Sequence, residues 1–205
     1  MYPKMMPASQ SLITELDETL SKIPDSRQLV ILRRVTDLFI LGAETYSDEQ
    51  IAMFDDVICR LIENIGQPAL VELSDRLASV GKCPENVISR LSNSDDIAVS
   101  GPALTMSNTL PDKMLVAIAG KKGQKQLAAI AGRKEISEAV TDVLVDRGNA
   151  EVSLKVSANR GARISETGFV KLINKAKKDR ALATTISNRG DLPEELVPFL
   201  QLALN

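Results

Sequence analysis

Histidine and tryptophan are both missing from this chain of 205 residues, and aromatic side chains make up only 3% of it. Without His there is no Ser-His-Asp or Cys-His catalysis, no His-containing zinc site, and no side chain that readily exchanges a proton near neutral pH. With so few aromatics the core must be packed from Leu, Ile, Val and Ala, and little is left to stack nucleic-acid bases on. The two cysteines, Cys59 and Cys83, have no metal-type spacing and do not demand an oxidising compartment. Cys59 falls among apolar helix positions, as a small hydrophobe would, and Cys83 falls in a turn before Pro84. No stretch approaches the roughly 18 uninterrupted apolar residues of a membrane span. The opening MYPKMMPASQ lacks the apolar centre of a secretory signal. The expectation is a cytoplasmic chain with no membrane contact and a disordered tail over residues 1–10. No segment alternates at the period of a strand, so no sheet is expected either.

What the chain does have is a repeated mark: a small residue or Pro, then an acid, then a helix-like apolar pattern. It occurs at Pro84-Glu85, Pro111-Asp112, Ser137-Glu138, Ser165-Glu166 and Pro193-Glu194, at steps of 27, 26, 28 and 28 residues. A fixed period in this range signals stacked supersecondary units. The mark has a physical reason. Pro suits a first helical turn, Ser accepts a backbone N–H as a cap, and an acid there meets the positive end of the helix dipole. With the acid taken as the second helical residue, apolar positions follow at Val87, Met114, Val140 and Leu196, with Gly168 the exception. Four residues further come Leu91, Ile118, Leu144, Leu172 and Leu200, on the same helical face. Each unit then offers a second, shorter apolar segment: Ile97–Met106, Leu127–Ala131, Val152–Ala158 and Leu182–Ser187. Three of these end at Gly132-Arg133, Asn159-Arg160-Gly161 and Asn188-Arg189-Gly190, residues suited to a left-handed helix stop. Asp146-Arg147-Gly148 makes a comparable stop after a first helix.

Before the repeats lie four longer helix candidates. Ser11–Ile23 places Ile13, Leu16, Leu20 and Ile23 on one face, and Arg27–Leu41 is strongly apolar and stops at Gly42. Ser47-Asp48-Glu49-Gln50 is a capping box opening a helix that carries Ile51, Phe54, Val57, Ile58, Leu61 and Ile65 and ends at Gly66. Pro68 begins the next, which runs to Gly81. The chain therefore divides into the tail at 1–10, a region of longer helices at 11–81 and a repeat array at 82–205 whose last unit is incomplete. That last segment is dense in apolar side chains, and the expectation is one face packed through Leu196 and Leu200 and another left without a partner. It fits a fragment of a longer protein, a fold-back cap, or a surface for a second subunit.

The net charge of −2 is unevenly spread: residues 1–100 carry −7 and residues 101–205 carry +5. Arg133, Arg160, Arg163 and Arg189 recur near one edge of successive units, so stacking would align them into a stripe able to hold phosphate or an acidic segment. The same arginines suit helix C-termini, where a cation favours the dipole. The acid pair Asp95-Asp96 reads as a helix cap, and neither it nor Asp55-Asp56 has further ligands in the sequence to hold a metal. Lys121-Lys122-Gly123-Gln124-Lys125 lacks the spacing and preceding strand of a phosphate loop and reads as a solvated turn. Ser100-Gly101-Pro102 interrupts a helical pattern and reads as a bend.

The segments Arg33–Phe39, Ser47–Glu63, Asp95–Pro102 and Ile136–Asn149 resemble a bacterial family known only as a domain of unknown function, whose members are all-helical with short HEAT-like or leucine-rich-variant-like repeats. The resemblance extends from about residue 27 onward. It implies a fold and no catalytic residues. The expected class is all-α: a right-handed α-α superhelix, a HEAT-like solenoid of short helix-turn-helix repeats of about 27 residues. The function expected of it is a non-enzymatic scaffold for a protein partner, with no cofactor and no metal. Two rival readings are a nucleic-acid binder using the basic C-terminal repeats, and a homodimer formed through an exposed apolar helix.

Overall fold

Of the expected helix starts, those at Ser47, Asp96 and Ser165 carry a side-chain cap, while those at Pro84, Pro111, Ser137 and Pro193 open helices without one. A computed structural model describes residues 25–63 and 65–204; the expected tail and the helix expected at Ser11–Ile23 lie outside them. Within the described residues the chain forms twelve α-helices and one 3₁₀ turn, with no strand; a lone bridge joins Ile136 to Ala162. The helices are α1 (Asp25–Gly42), α2 (Asp48–Leu61), α3 (Gln67–Leu77), α4 (Glu85–Ser92), α5 (Ile97–Met106) and α6 (Asp112–Lys121). They continue as α7 (Gln124–Ala131), α8 (Glu138–Arg147), α9 (Ala150–Ala158), α10 (Glu166–Ala176), α11 (Arg180–Ser187) and α12 (Val197–Leu204), the last preceded by the 3₁₀ turn Glu194–Leu196. None of them is long and apolar enough to cross a membrane.

The repeated marks open α4, α6, α8, α10 and the 3₁₀ turn, one residue out of the expected register. The acid is the first helical residue, and the Pro or Ser before it is the extended residue at the cap. Ser165 accepts from the Gly168 N–H, and Asp96, Asn149 and Asp179 cap α5, α9 and α11 in the same way. The capping box at Ser47 is complete: Gln50 N–H donates to Ser47 Oγ, and Ser47 N–H to Gln50 Oε1. Three expectations fail locally. α2 ends at Leu61 rather than near Gly66, because Ile62 and Glu63 turn away. α5 runs through Ser100-Gly101-Pro102 without a break, Ser100 Oγ donating back to the Asp96 carbonyl. No described residue adopts a left-handed backbone, so the glycine stops work differently. A Cβ on Gly148 would overlap the Leu144 carbonyl and Val152, and one on Gly161 would overlap the Lys134 carbonyl. These glycines admit close backbone approach rather than a positive φ.

Packing follows the period. Every pair of helices in substantial contact is one or two apart in chain order. First helices lie against first helices (α2 on α4, α6 on α8, α8 on α10, α10 on α12) and second helices against second (α1 on α3, then α3, α5, α7, α9 and α11 in turn). One cluster of buried apolar side chains runs from Leu32 to Leu200. Val87, Leu91, Ile118, Val140, Leu144, Leu172, Leu196 and Leu200 are all buried in it, as the repeat requires. Phe39, Phe54 and Tyr46 form an aromatic group, with centroids 5.2–6.3 Å apart, and the Tyr46 hydroxyl donates to the Leu38 carbonyl.

Leu144→Ala, at a fully buried site between units, should lower stability by roughly 2–5 kcal/mol in urea unfolding. Gly161→Ala and Gly120→Ala should move stability in opposite directions. The first forces two backbones apart, whereas a Cβ on Gly120 meets nothing within 4 Å and gains helix propensity.

Candidate partner-binding surface

Short helices leave a large share of their polar backbone unpaired: the last four carbonyls of any α-helix have no partner within it. In this chain the unit that follows reaches back to fill that need. Arg133 lies just past the end of α7. Its Nη1 donates to the Leu104 carbonyl and its Nη2 to the Ser107 carbonyl, both 2.7 Å away at the end of α5. Arg189 does the same past the end of α11, donating to the Ser157, Asn159 and Ala162 carbonyls at 2.8–3.1 Å. Between these two, Asn159 takes the equivalent position and donates through Nδ2 to the Ala131 and Arg133 carbonyls.

The first-helix layer uses the same device. Arg147 at the end of α8 donates to the Ala119 and Lys122 carbonyls at the end of α6. Lys175 near the end of α10 donates to Val145 and Gly148, at 2.6 and 2.8 Å, at the end of α8. Arg90 on α4 reaches the Cys59 carbonyl on α2 at 3.3 Å. These ties span 25–32 residues, one period in most cases. Acids tie the helix starts. Asp55, buried on α2, accepts from the Asn86 and Val87 N–H groups and the Asn86 side chain at the start of α4. Asp142 on α8 accepts from the Ser165 hydroxyl at 2.6 Å, at the start of α10.

The four arginines of the expected stripe therefore divide. Arg133 and Arg189 are buried, with side chains turned onto backbone carbonyls. Burial lowers the Arg133 pKa, Asp112 partly opposing it. Burial likewise lowers that of Lys175, with Asp146 opposing. Arg189 also packs its guanidinium 5.8 Å from the centre of the Phe169 ring and grips Asp191 with two nitrogens at 2.7 and 2.8 Å. Arg160 and Arg163 are exposed, in the turn after α9. Lys134, exposed in the preceding turn, is the cation that sequence reading left out of this edge; the Ile136–Ala162 bridge joins its turn to theirs. Its signal was adjacency to Arg133. An open groove of ≈ 760 Å³ lies along this edge, lined by Thr105, Met106, Asp112, Arg133, Lys134 and Glu135 among others.

The remaining candidates are structural in their contacts. Asp96 caps α5, and Lys122 of the lysine-rich turn is paired with Asp95 at 2.6 Å. Among the described residues no three His, Cys, Asp or Glu side chains gather closely enough to hold a metal ion. Cys59 and Cys83 are both buried free thiols, and burial, with Asp55 adding to it, pushes them up to about 11 and about 12. A buried thiol with its pKa raised in this way holds little thiolate at neutral pH.

Residues 99–200 match the model of a family described as an uncharacterised protein conserved in bacteria, DUF2336. The match takes in Ile136–Asn149 and starts inside Asp95–Pro102. It leaves out Arg33–Phe39 and Ser47–Glu63, so the match is narrower than the resemblance read from sequence. No curated protein and no solved structure matches the chain.

Arg189→Met should lower stability by about 1.5–3 kcal/mol, the worth of hydrogen bonds from a charged donor to buried carbonyls. Arg160→Met should change it by less than about 0.5 kcal/mol, as exposed substitutions do. Equilibrium urea unfolding of both variants checks the contrast. In the same region the Asp191 carboxylate is held below its ordinary pKa by its hydrogen bonds from Arg189, burial opposing. A lowered folded pKa gives stability that is present above the ordinary carboxylate value and lost as pH falls through the lowered one. Acid unfolding of Arg189→Met should lack that component.

Proposed function

We propose that this protein is a non-enzymatic binding scaffold: a right-handed α-α superhelix of HEAT-like helical hairpins that holds a protein partner against its second-helix face. The observation that carries this reading is where the polar groups go. Arg90, Arg133, Arg147, Lys175, Arg189, Asp55 and Asp142 are occupied in joining one unit to the next. Groups tied in this way are poor material for catalysis, and side chains such as Ala98, Pro102, Ala129, Leu154, Ala181 and Thr185 stay partly or fully exposed on the second helices. Small uncharged residues over a regular ridge suit a packed helix or an extended peptide.

The layers favour one face over the other. α3, α5, α7, α9 and α11 form an unbroken row of packed neighbours, whereas α4 and α6 in the first layer have no substantial contact. A stack that is closer on one side curves toward that side, which supports reading the second-helix layer as the concave one, where repeat proteins hold partners.

A nucleic-acid reading keeps one supporting observation, the exposed trio Lys134, Arg160 and Arg163 on adjoining turns. Two of the four arginines it would use are buried, which favours the protein partner.

A photo-crosslinking residue placed at Ala98 or Ala181 should capture a defined protein in the native bacterium, while the same residue at Ala117 or Ala139, exposed on first helices, should capture none. Equal capture from both faces would remove the concave-face reading. Fluorescence anisotropy with labelled single- and double-stranded oligonucleotides should show no saturable binding at 50 and 200 mM salt, concentrations across which phosphate contacts lose roughly 10³-fold or more in affinity. Saturable binding at the lower concentration that is lost at the higher, and weakened by Arg160→Glu, would establish the nucleic-acid reading instead.

A further inference from the structure

The first and last described helices each carry an exposed apolar strip preceded by a charge, and the two strips match. On α12, Phe199 and Leu202 are 57% and 76% exposed; on α1, Leu38 and Leu41 are 57% and 85% exposed. Glu195 stands four residues before Phe199 and seven before Leu202, and Arg34 stands four residues before Leu38 and seven before Leu41. The two patterns share one spacing and carry opposite charges. Residues spaced by four and seven lie along one face of an α-helix, as Arg34, Leu38 and Leu41 do on α1; Glu195 sits in the 3₁₀ turn that leads into α12, one turn before Phe199.

We infer that α12 of one molecule docks against α1 of a second copy, the helices parallel, with Glu195 opposite Arg34, Phe199 opposite Leu38 and Leu202 opposite Leu41. The choice of occupant rests on charge. Glu194 and Glu195 are exposed in the 3₁₀ turn that leads into α12, and that helix has no basic residue of its own. A second α12 laid parallel on it would set these acids against each other. On α1, Arg27 and Arg34 are exposed, while Arg33 is paired with Glu72 and Asp37 with Arg76. The free charge beside the α1 strip is therefore positive. The antiparallel arrangement is disfavoured, because it brings the Glu194-Glu195 end toward Glu44, Asp48 and Glu49, all exposed beyond α1.

A contact between two different patches is heterologous, so it builds rings or open chains rather than a closed dimer. Two apolar residues a side make a small interface, so the association is weak and concentration-dependent. It lies at the ends of the stack and leaves the proposed partner face of the second helices free.

Sedimentation velocity of the full chain over a wide concentration range tests this. The weight-average sedimentation coefficient should climb steadily with concentration without levelling at a dimer. Arg34→Glu alone and Glu195→Arg alone should each weaken association roughly tenfold, like charges being set together. Arg34→Glu combined with Glu195→Arg should restore it. Both positions are exposed, so circular dichroism of each variant should match the parent. A monomer at every concentration, as when residues 1–24 of the same chain cover α1, overturns the inference. A discrete dimer, an association indifferent to either charge reversal, or failure of the double variant to recover overturns it equally. Loss on Phe199→Ser with Leu202→Ser but not on Leu38→Ser with Leu41→Ser would assign α12 to another partner.

Discussion

Unpaired carbonyls at the ends of very short helices are the constraint on which this structure depends. α4, α7 and α11 have eight residues each. In a helix of that length the four carbonyls without an internal partner are half of the total. Water satisfies some of them, but the ends that face a neighbouring unit are partly buried, and a buried carbonyl without a donor costs about 1–3 kcal/mol. The solution here is one cation or amide per joint, supplied from about one period later in the chain. Arg133, Asn159 and Arg189 do this along one layer, Arg90, Arg147 and Lys175 along the other. Each tie also fixes the register between units, because a fork-shaped guanidinium reaches two or three carbonyls only in one relative position of the helices.

Apolar packing and these ties have different roles. The core from Leu32 to Leu200 supplies the driving force, and its Leu, Ile, Val and Ala side chains would tolerate some sliding between helices. The polar ties do not tolerate it. Arg189 illustrates the coupling, since it touches three carbonyls of the preceding unit, a carboxylate of its own turn and the Phe169 ring at once. The glycines serve the same joints. Gly161 lets its turn come against the Lys134 carbonyl, where the Ile136 N–H donates to the Gly161 carbonyl at 3.0 Å and the Arg163 N–H to the Ile136 carbonyl at 2.9 Å. A surface built in this way is regular because its joints are regular, which is the property a partner-binding scaffold needs.

The sequence made the period, the helix starts and the buried positions legible because each is written in local chemistry. A Ser or Asp before an apolar run is a cap whatever surrounds it, and Leu144 and Leu172 recur at one place in the unit. The joints were harder to read. An arginine following a helix suits that helix's own C-terminus, and nothing nearby in sequence reveals that Arg133 turns instead to Leu104 and Ser107. Only spacing carries the signal, since Arg133 and Arg189 with Asn159 between them follow successive second helices at nearly one period. The stripe of four arginines was therefore visible as a pattern, while the division into two buried ties and two exposed cations depends on side-chain direction. The left-handed stops failed as an expectation for a related reason: Gly148 and Gly161 are explained by atoms that approach from elsewhere, not by their own backbone angles. Ser100-Gly101-Pro102 was misread because the packed neighbours α3 and α7 hold α5 helical across a weak sequence.

The most direct test of this account is the hydrogen exchange of the arginine guanidinium groups, read by NMR on protein labelled with ¹⁵N-arginine at low temperature and mildly acid pH. The account predicts separate, slowly exchanging Nη–H signals from Arg133 and Arg189, with scalar couplings to the carbonyls of Leu104, Ser107, Ser157 and Ala162. Arg160 and Arg163 should give averaged signals that exchange rapidly with water. Four equally averaged, rapidly exchanging arginines would contradict it, since no guanidinium could then be holding one unit to the next.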